Sequence, residues 1–505
     1  MSISKTEDVY NLIKSLTKAE KRAFRLYAGR IQDGENLLYM KLFDIIEKMK
    51  VLDEVTIRKK IADIGNTQYS NLKRHLHKQI LNSLKLLHKE KRPNLFIREQ
   101  IDFAYVLYGK GLYMQALKVL SKAKKEAYKN HTDFSLLTII EMEKMIQSRH
   151  ITRTKTEPIE KLVKEADECA TALFNRVLLS NISVRLHRYY ILNGHTKSQK
   201  KHTQLEHDFK ADLEKLDVEG LGKMELIYLN QSYVWYYYIQ NNFEKCGYYA
   251  QKWIDLFKND KDMPTRDINL FFRGYHYLLT SLFNLRHTAV FKKSLAELEN
   301  FRKNNYHKFN FNTQVISFLY VHTGRLNKHF LEGNYQKGLV TIKSTLKRIK
   351  KYENHLDPHK ILVLYYKIAW MYIAAGKPDN AARYLNEIIF MQRHSLREDL
   401  QSYSRLLHLM MHYDCEDFYA LPGLVKTYDT YFKKVEESNQ VQIKILKLFK
   451  ALADTPVLER KAVFQQYYND LIALQTNPYE KRALMYLAIL PWLKAKIERS
   501  AVGKV

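Results

Sequence analysis

Aromatic and cationic side chains are the residues of this sequence that could do chemistry, and that chemistry is binding. The stretch 232–257 reads SYVWYYYIQNNFEKCGYYAQKWIDLF, and five of the six positions 233–238 are aromatic. A ring stacks on a nucleic acid base with about 1–3 kcal/mol. It also anchors a protein partner, because it brings a large contact area with few torsions to freeze. The same rings would serve equally well as a hydrophobic core.

Residue combinations typical of enzymes are missing. The sequence contains no GxxxxGK[ST], GxGxxG, HExxH, GxSxG or EF-hand pattern. Histidine pairs such as His75 and His77 lack the i, i+4 spacing and a third ligand that a metal needs. Asp414, Glu416 and Asp417 fall at a predicted turn, where carboxylates cap helices. We therefore expect a protein that is not an enzyme and holds no cofactor or metal.

The charge of the chain points to an anionic partner. Its 505 residues carry 83 Lys and Arg against 54 Asp and Glu, a net charge of +29. Such an excess attracts nucleic acid, an acidic protein or an anionic surface. A codon bias toward lysine is the competing explanation, although it does not account for the excess of basic over acidic residues.

The cysteines and the amino-terminal residues bear on the compartment. Cys169, Cys246 and Cys415 lie far apart without a CxxC pair, so we interpret them as buried small apolar residues. The first residues, MSISKTEDVYNLIKSLTKAEKRAF, contain no apolar signal region, and no run of about 18 apolar residues follows. A cytoplasmic protein without a transmembrane segment is expected.

Helical periodicity dominates the chain. Leu72, Leu76, Ile80, Leu84 and Leu87 show the spacing of an inward-packing helix face, and we find no alternating strand pattern. Turn signals recur roughly every 40–47 residues between about 95 and 480, which predicts about nine stacked helical hairpins. They are GKGLY (109–113), HITRTKTEP (150–158), NGHTK (193–197), QNNF (240–243), NLRHT (284–288), EGNY (332–335), AGKPD (375–379), YDCED (413–417) and ADTP (453–456).

Several of these turns have flanks similar to tetratricopeptide repeats. YVLYGKGLYMQALKVLSKA, YYKIAWMYIAAGKPDNAARYLNEI and EGNYQKGLVTI place small residues, a turn glycine and flanking aromatics as that family does. The spacing exceeds the family's 34 residues, and the repeats near 150, 194 and 415 match poorly. The resemblance implies an all-α, right-handed superhelical α-solenoid at 93–490, after an N-terminal helical cap module at 1–92 and before a tail at 491–505. A HEAT-like solenoid is the neighbouring alternative.

The register of that family implies a concave groove. It places Tyr233 and Tyr237 on the buried face, and rings with interspersed cations in the groove. A core that closes on itself is the alternative for these rings. The implied groove residues are Tyr105, Tyr108, Arg188, Tyr228, Trp235, Tyr238, Arg273, His276, Phe283, Asn327, Phe330, Tyr366 and Trp370.

The N-terminal module carries a second candidate site. Thr17 and Glu20 form a capping-box pattern, and 54–87 reads as helix, turn at Gly65, and basic helix, as in a helix-turn-helix. Its candidate nucleic-acid-binding residues, expected opposite the leucine stripe, are Lys73, Arg74, His77 and Lys78. A solvated basic face on a capping bundle is the alternative.

Two functions remain open from the sequence. The first is a scaffold whose groove binds an extended protein segment and whose basic surface additionally engages RNA or a ribonucleoprotein. The second is a peptide- or ligand-responsive DNA-binding transcription regulator, in which the N-terminal module reads DNA. The identity of the partner and the oligomeric state do not follow from the residues.

Overall fold

A computed structural model of the chain describes residues 6–31, 38–61, 64–150, 159–216, 218, 220–260, 263–391, 398–434 and 439–498. These residues form α-helices joined by turns and short 3-10 segments, with no strand among them. The all-α prediction is therefore confirmed. The contacts divide the chain into two compact units, unit 1 (Met1–Leu173) and unit 2 (Phe174–Val505).

Unit 1 contains two separate apolar cores. One is built from residues between Val9 and Ile80, and the other from residues between Ile97 and Leu173. The module boundary predicted at residue 92 falls between them and stays a prediction. The helices that begin in unit 1 are α1 (Thr6–Ser15), α2 (Lys18–Ile31), α3 (Leu38–Lys48), α4 (Glu54–Lys60), α5 (Asn66–His88), α6 (Pro93–Gly109), α7 (Tyr113–Lys129), α8 (Asp133–His150) and α9 (Ile159–Asn193).

Unit 2 continues from α9 with helices that pack on the next helix and the next but one. For example, α16 packs on α17 and α18, and α18 packs on α19 and α20. This pattern is consistent with a helical-repeat fold. The helices are α10 (Gln199–Leu213), α11 (Lys223–Ile239), α12 (Phe243–Lys258), α13 (Met263–Arg266), α14 (Ile268–Asn284), α15 (Thr288–Asn305), α16 (Phe311–Glu332), α17 (Tyr335–Tyr352), α18 (Pro358–Ala374), α19 (Asp379–Ile389), α20 (Glu398–Asp414), α21 (Leu421–Phe432), α22 (Gln440–Asp454), α23 (Arg460–Ile472), α24 (Lys481–Leu487) and α25 (Ile489–Glu498).

The predicted turn segments separate helices as expected, except that 151–158 lies outside the described residues. Among the residues that the structure describes, seven turns share one backbone design: a residue with positive φ, followed by an amide that donates to the carbonyl five residues earlier at 2.9–3.1 Å. This is the Schellman motif, which satisfies carbonyls left free at a helix end. The positive-φ residues are Gly111, His131, Asn241, Arg286, Gly333, Gly376 and Glu416.

The recurring turn geometry does not require glycine. A left-handed residue is easiest for glycine, yet Arg286 and Glu416 occupy that position with φ of 59° and 57°. The same turn geometry is thus formed at positions that carry a residue other than glycine.

Candidate functional site

The two ends of unit 2 meet through direct contacts. The Tyr479 hydroxyl donates to Gln199 Oε1 at 2.9 Å, although 280 residues separate them. The rings of Tyr190 on α9 and His359 on α18 have centroids 6.4 Å apart. Side chains of these helices and of the helices between them interact with one another. We call this cluster the inner face of unit 2, and it comprises Tyr228, Tyr238, Arg273, His276, Phe283, Tyr320, Lys360, Lys367 and Arg482.

Trp235, one of the predicted groove residues, is buried in an aromatic cluster. Only 7% of its surface is exposed, and its ring makes edge contacts with His187 at 5.1 Å and Tyr277 at 5.2 Å. Tyr233 and Tyr237, expected on the buried face, are instead half-buried and stack on Tyr249. Tyr233 and Tyr237 also pack against the hydrophobic core of unit 2.

Tyr366 and Trp370 are buried as well, and α24 covers them. The Tyr366 hydroxyl and Trp370 Nε1 both donate to the Tyr486 carbonyl oxygen at 2.8 Å. That carbonyl lies in the last turn of α24, where helix carbonyls have no intrahelical partner. These two side chains therefore cap α24, and their role in binding a partner stays a prediction.

The remaining inner-face residues keep part of their surface exposed. His276 stacks on Tyr320 with ring centroids 4.4 Å apart. Burial, followed by the cations Lys360, Lys367 and Arg273, lowers the pKa of His276 to about 3. The imidazole is therefore neutral at pH 7, and it stands among positive charges.

Lys367 and Arg482 are the most enclosed cations of the inner face. Lys367 Nζ donates to Asn327 Oδ1 at 2.8 Å and lies 5.1 Å from the ring centre of Phe283. Burial, and then Arg482, lower the pKa of Lys367 to about 8. Arg482 Nη1 donates to Asn241 Oδ1 at 2.9 Å, and Nη2 to the Tyr486 hydroxyl at 2.7 Å.

Arg273, Lys367 and Arg482 form no ion pair among the described residues, while Glu398 and Asp399 line a cavity together with Arg482. Within the described part of the chain, no carboxylate oxygen lies within 4.0 Å of a side-chain nitrogen of Arg273, Lys367 or Arg482. The acid near Arg273 is Asp267, which accepts a hydrogen bond from the Leu270 amide at the start of α14. Arg273, Lys367 and Arg482 therefore interact with hydroxyls, amides and rings.

Lys367 and Arg482 were missed from the sequence. Lys360 and Lys367 are seven residues apart on α18, and Trp370 follows Lys367 by three. Helical spacing alone could therefore have predicted a basic stripe beside Trp370. Arg482 could not have been found from the sequence, because its hydrogen-bond partner Asn241 lies 241 residues earlier in the chain.

The other predicted groove residues are scattered. In unit 1, Tyr105 is 52% exposed, and the Tyr108 hydroxyl accepts from Arg149 Nη1 at 3.2 Å. In unit 2, Arg188 is exposed and Phe330 is half-buried. Their role in binding stays a prediction.

The expectation that Lys73 faces solvent is wrong. It is 5% exposed, donates to Thr6 Oγ1 at 2.9 Å and lies 3.7 Å from Glu54 Oε1. Arg74 and Lys78 are exposed and His77 is half-buried. The basic face of α5 therefore loses one cation to the interior of unit 1.

The cysteines follow the expectation only in part. Cys169 and Cys246 are buried, whereas Cys415 is half-buried and its thiol donates to Asp379 Oδ1 at 3.2 Å. Among the residues described, no three His, Cys, Asp or Glu side chains are grouped to hold a metal ion.

Across the described helices, none is both long and apolar enough to cross a bilayer. No protein-family model matches the chain, and no curated protein or solved structure is significantly similar to it. The class that the fold defines is thus an all-helical protein of packed helical hairpins, consistent with a helical-repeat fold.

Proposed function

We propose that the protein is a non-enzymatic, tetratricopeptide-like superhelical scaffold that binds an acidic, extended protein segment on the inner face of unit 2. The observation that carries the proposal is that Arg273, Lys367 and Arg482 converge there without a carboxylate within 4.0 Å in the described residues. A carboxylate-bearing partner supplies the missing countercharge.

Enclosure raises the free energy of an unpaired charge such as that of Lys367. A cation removed from water costs several kcal/mol unless an opposite charge and hydrogen bonds compensate it. Lys367 has the Asn327 amide oxygen and the Phe283 ring as neighbours, and both are neutral. A glutamate or aspartate side chain of a partner would form a charge-assisted hydrogen bond there, which is about twice as strong as a neutral one.

The rings of the inner face favour a protein segment as the partner. Half-buried Tyr228, Tyr238 and Phe283 offer ring area beside the cations. A protein segment can place acidic side chains on these cations and apolar side chains on these rings at the same time.

The test is binding of a fluorescein-labelled, glutamate-rich peptide of about ten residues, followed by fluorescence anisotropy. Removing one partner of an enclosed charge pair costs about 2–5 kcal/mol. We therefore expect the variant Arg273→Gln/Lys367→Gln to bind at least about 30-fold more weakly.

The matched control removes two exposed cations of unit 2 on α12, Lys245→Gln/Lys252→Gln. Circular dichroism checks that both variants fold. Unchanged affinity of the inner-face variant, or an equal loss in the control, would reject the inner face as the binding site.

A further inference from the structure

Helix α17, outside the inner face, has an extreme charge composition. Its sequence, YQKGLVTIKSTLKRIKKY, contains six Lys or Arg residues and no Asp or Glu. Its buried side carries Ile342, Thr345 and Ile349. The helix is therefore held in unit 2 by an apolar side, while its charges lie on the opposite side.

The cations of α17 form one exposed face. Lys343, Lys347 and Lys350 follow the i, i+4, i+7 spacing that aligns side chains on a helix, and Lys351 flanks them. All four side chains are exposed. We call these four residues the α17 basic face, and it extends over about 12 Å of helix axis.

Neighbouring carboxylates do not neutralise this face. Glu353, two residues after Lys351, is the nearest acid to this face along the chain. In the described ranges, no carboxylate oxygen lies within 4.0 Å of the four lysine nitrogens. The positive field of the face is thus unopposed at close range.

Two arginines extend the basic surface toward α15. Arg302 Nε donates to Ser317 Oγ at 3.2 Å, and its guanidinium lies 5.3 Å from the ring centre of Tyr306. Burial, and then the nearby Arg348 of α17, lower the pKa of Arg302. Arg302 and Arg348 are therefore two like charges near each other.

We propose that the α17 basic face binds the sugar–phosphate backbone of a nucleic acid without reading its bases. Its length of about 12 Å spans several consecutive phosphates of one strand of a duplex. The large apolar side chain exposed on this side of the helix is Val340, 71% exposed. A face that enters a bilayer carries larger apolar and aromatic residues, so the composition favours phosphates in water over a membrane.

The experiment measures binding of a fluorescein-labelled RNA duplex of about 20 base pairs to the full chain across a salt titration. The test variant is Lys343→Gln/Lys347→Gln/Lys350→Gln. Helix α7 supplies a control with the same charge change and spacing, Lys118→Gln/Lys122→Gln/Lys125→Gln, at three exposed lysines of unit 1.

We expect the α17 variant to bind at least about tenfold more weakly, and the slope of log affinity against log salt to fall by about 3. The α7 control keeps the affinity and slope of the parent protein. Equal losses in both variants, or none in the α17 variant, overturn the proposal. It is also overturned if the parent protein binds phosphatidylserine vesicles or the glutamate-rich peptide through these lysines but does not bind RNA.

Discussion

The indole Nε1 of Trp370 donates to the carbonyl oxygen of Tyr486 at 2.8 Å, across 116 residues of sequence. The Tyr366 hydroxyl donates to the same oxygen. Two side chains of α18 thus hold the last turn of α24, and they fix Arg482, one turn earlier, at the inner face. All four tryptophans lie in unit 2, so tryptophan fluorescence reports the unfolding of this unit.

Removing these two donors tests the anchoring of α24. Trp370→Phe or Tyr366→Phe alone should lower the free energy of unfolding by about 0.5–1.5 kcal/mol, because one donor remains. The double variant should lose more than the sum, since the buried carbonyl then has no partner. Urea unfolding followed by tryptophan fluorescence measures this, and strictly additive losses would argue against a shared acceptor.

Non-glycine residues in the left-handed turns should limit stability. That conformation costs an ordinary residue about 1–2 kcal/mol, while glycine adds about 0.5–1 kcal/mol of backbone entropy to the unfolded chain. We expect Arg286→Gly and Glu416→Gly each to raise the free energy of unfolding by up to about 1 kcal/mol. Gly376→Ala is the reverse control and should lower the free energy of unfolding. If the urea midpoints of all three variants moved in the same direction, the left-handed turns would not be strained at Arg286 and Glu416.

Buried neutral histidines should make unit 2 sensitive to acid. Burial, together with neighbouring cations, lowers the pKa of His276 and His322 to about 3, and burial with His412 lowers that of His408 to about 4. Unfolded histidine titrates near 6.5. Between those values the unfolded chain binds protons that the folded one does not, so the free energy of unfolding falls as pH drops below about 6.5.

The variant His276→Phe removes one of these titrating groups and keeps an aromatic ring against Tyr320. Between pH 7 and pH 5 the free energy of unfolding should fall less in this variant than in the parent protein. The difference should reach up to about 1.4 kcal/mol for each pH unit below 6.5. Urea unfolding at the two pH values gives the comparison. An unchanged difference would mean that His276 is protonated in the folded protein.

We expect Lys73 to stabilise the packing of α5 in unit 1. Lys73→Met removes the hydrogen bond to Thr6 and leaves a buried acceptor, so we expect α5 to lose about 1–3 kcal/mol of protection. Arg74→Met, on the exposed side of the same helix, should change it by less than about 0.5 kcal/mol. Hydrogen exchange of α5 peptides, read by mass spectrometry, separates the two, and equal protection in both variants would contradict the buried role.

Local signals predicted much of the fold. The turn at GKGLY and the capping box at Thr17 and Glu20 depend on residues close in sequence, and the Thr17 amide indeed donates to Glu20 Oε2 at 2.8 Å. Turn chemistry and helix caps are read within a few residues, so the helix ends were accessible without the structure.

Contacts distant in sequence were not predictable. Lys73 shares its helix with exposed basic residues, and only Thr6, 67 positions earlier, explains its burial. Likewise, periodicity placed Tyr366 and Trp370 on a helix face, but it contained no information on α24, which covers that face. Helical period fixes the side on which a residue lies and leaves open what packs against that side.

The inner face is tested most directly by photo-cross-linking from Phe283, which lies beside Lys367. Phe283 is replaced by p-benzoylphenylalanine in the full chain, and Tyr419, 99% exposed at a turn, is replaced in the control. After irradiation with the labelled glutamate-rich peptide, mass spectrometry measures the cross-linked fraction. We predict cross-linking from position 283 that Lys367→Gln abolishes, and none above background from 419. Cross-linking from 419 alone, or from neither position while the peptide binds, would contradict a binding site on the inner face.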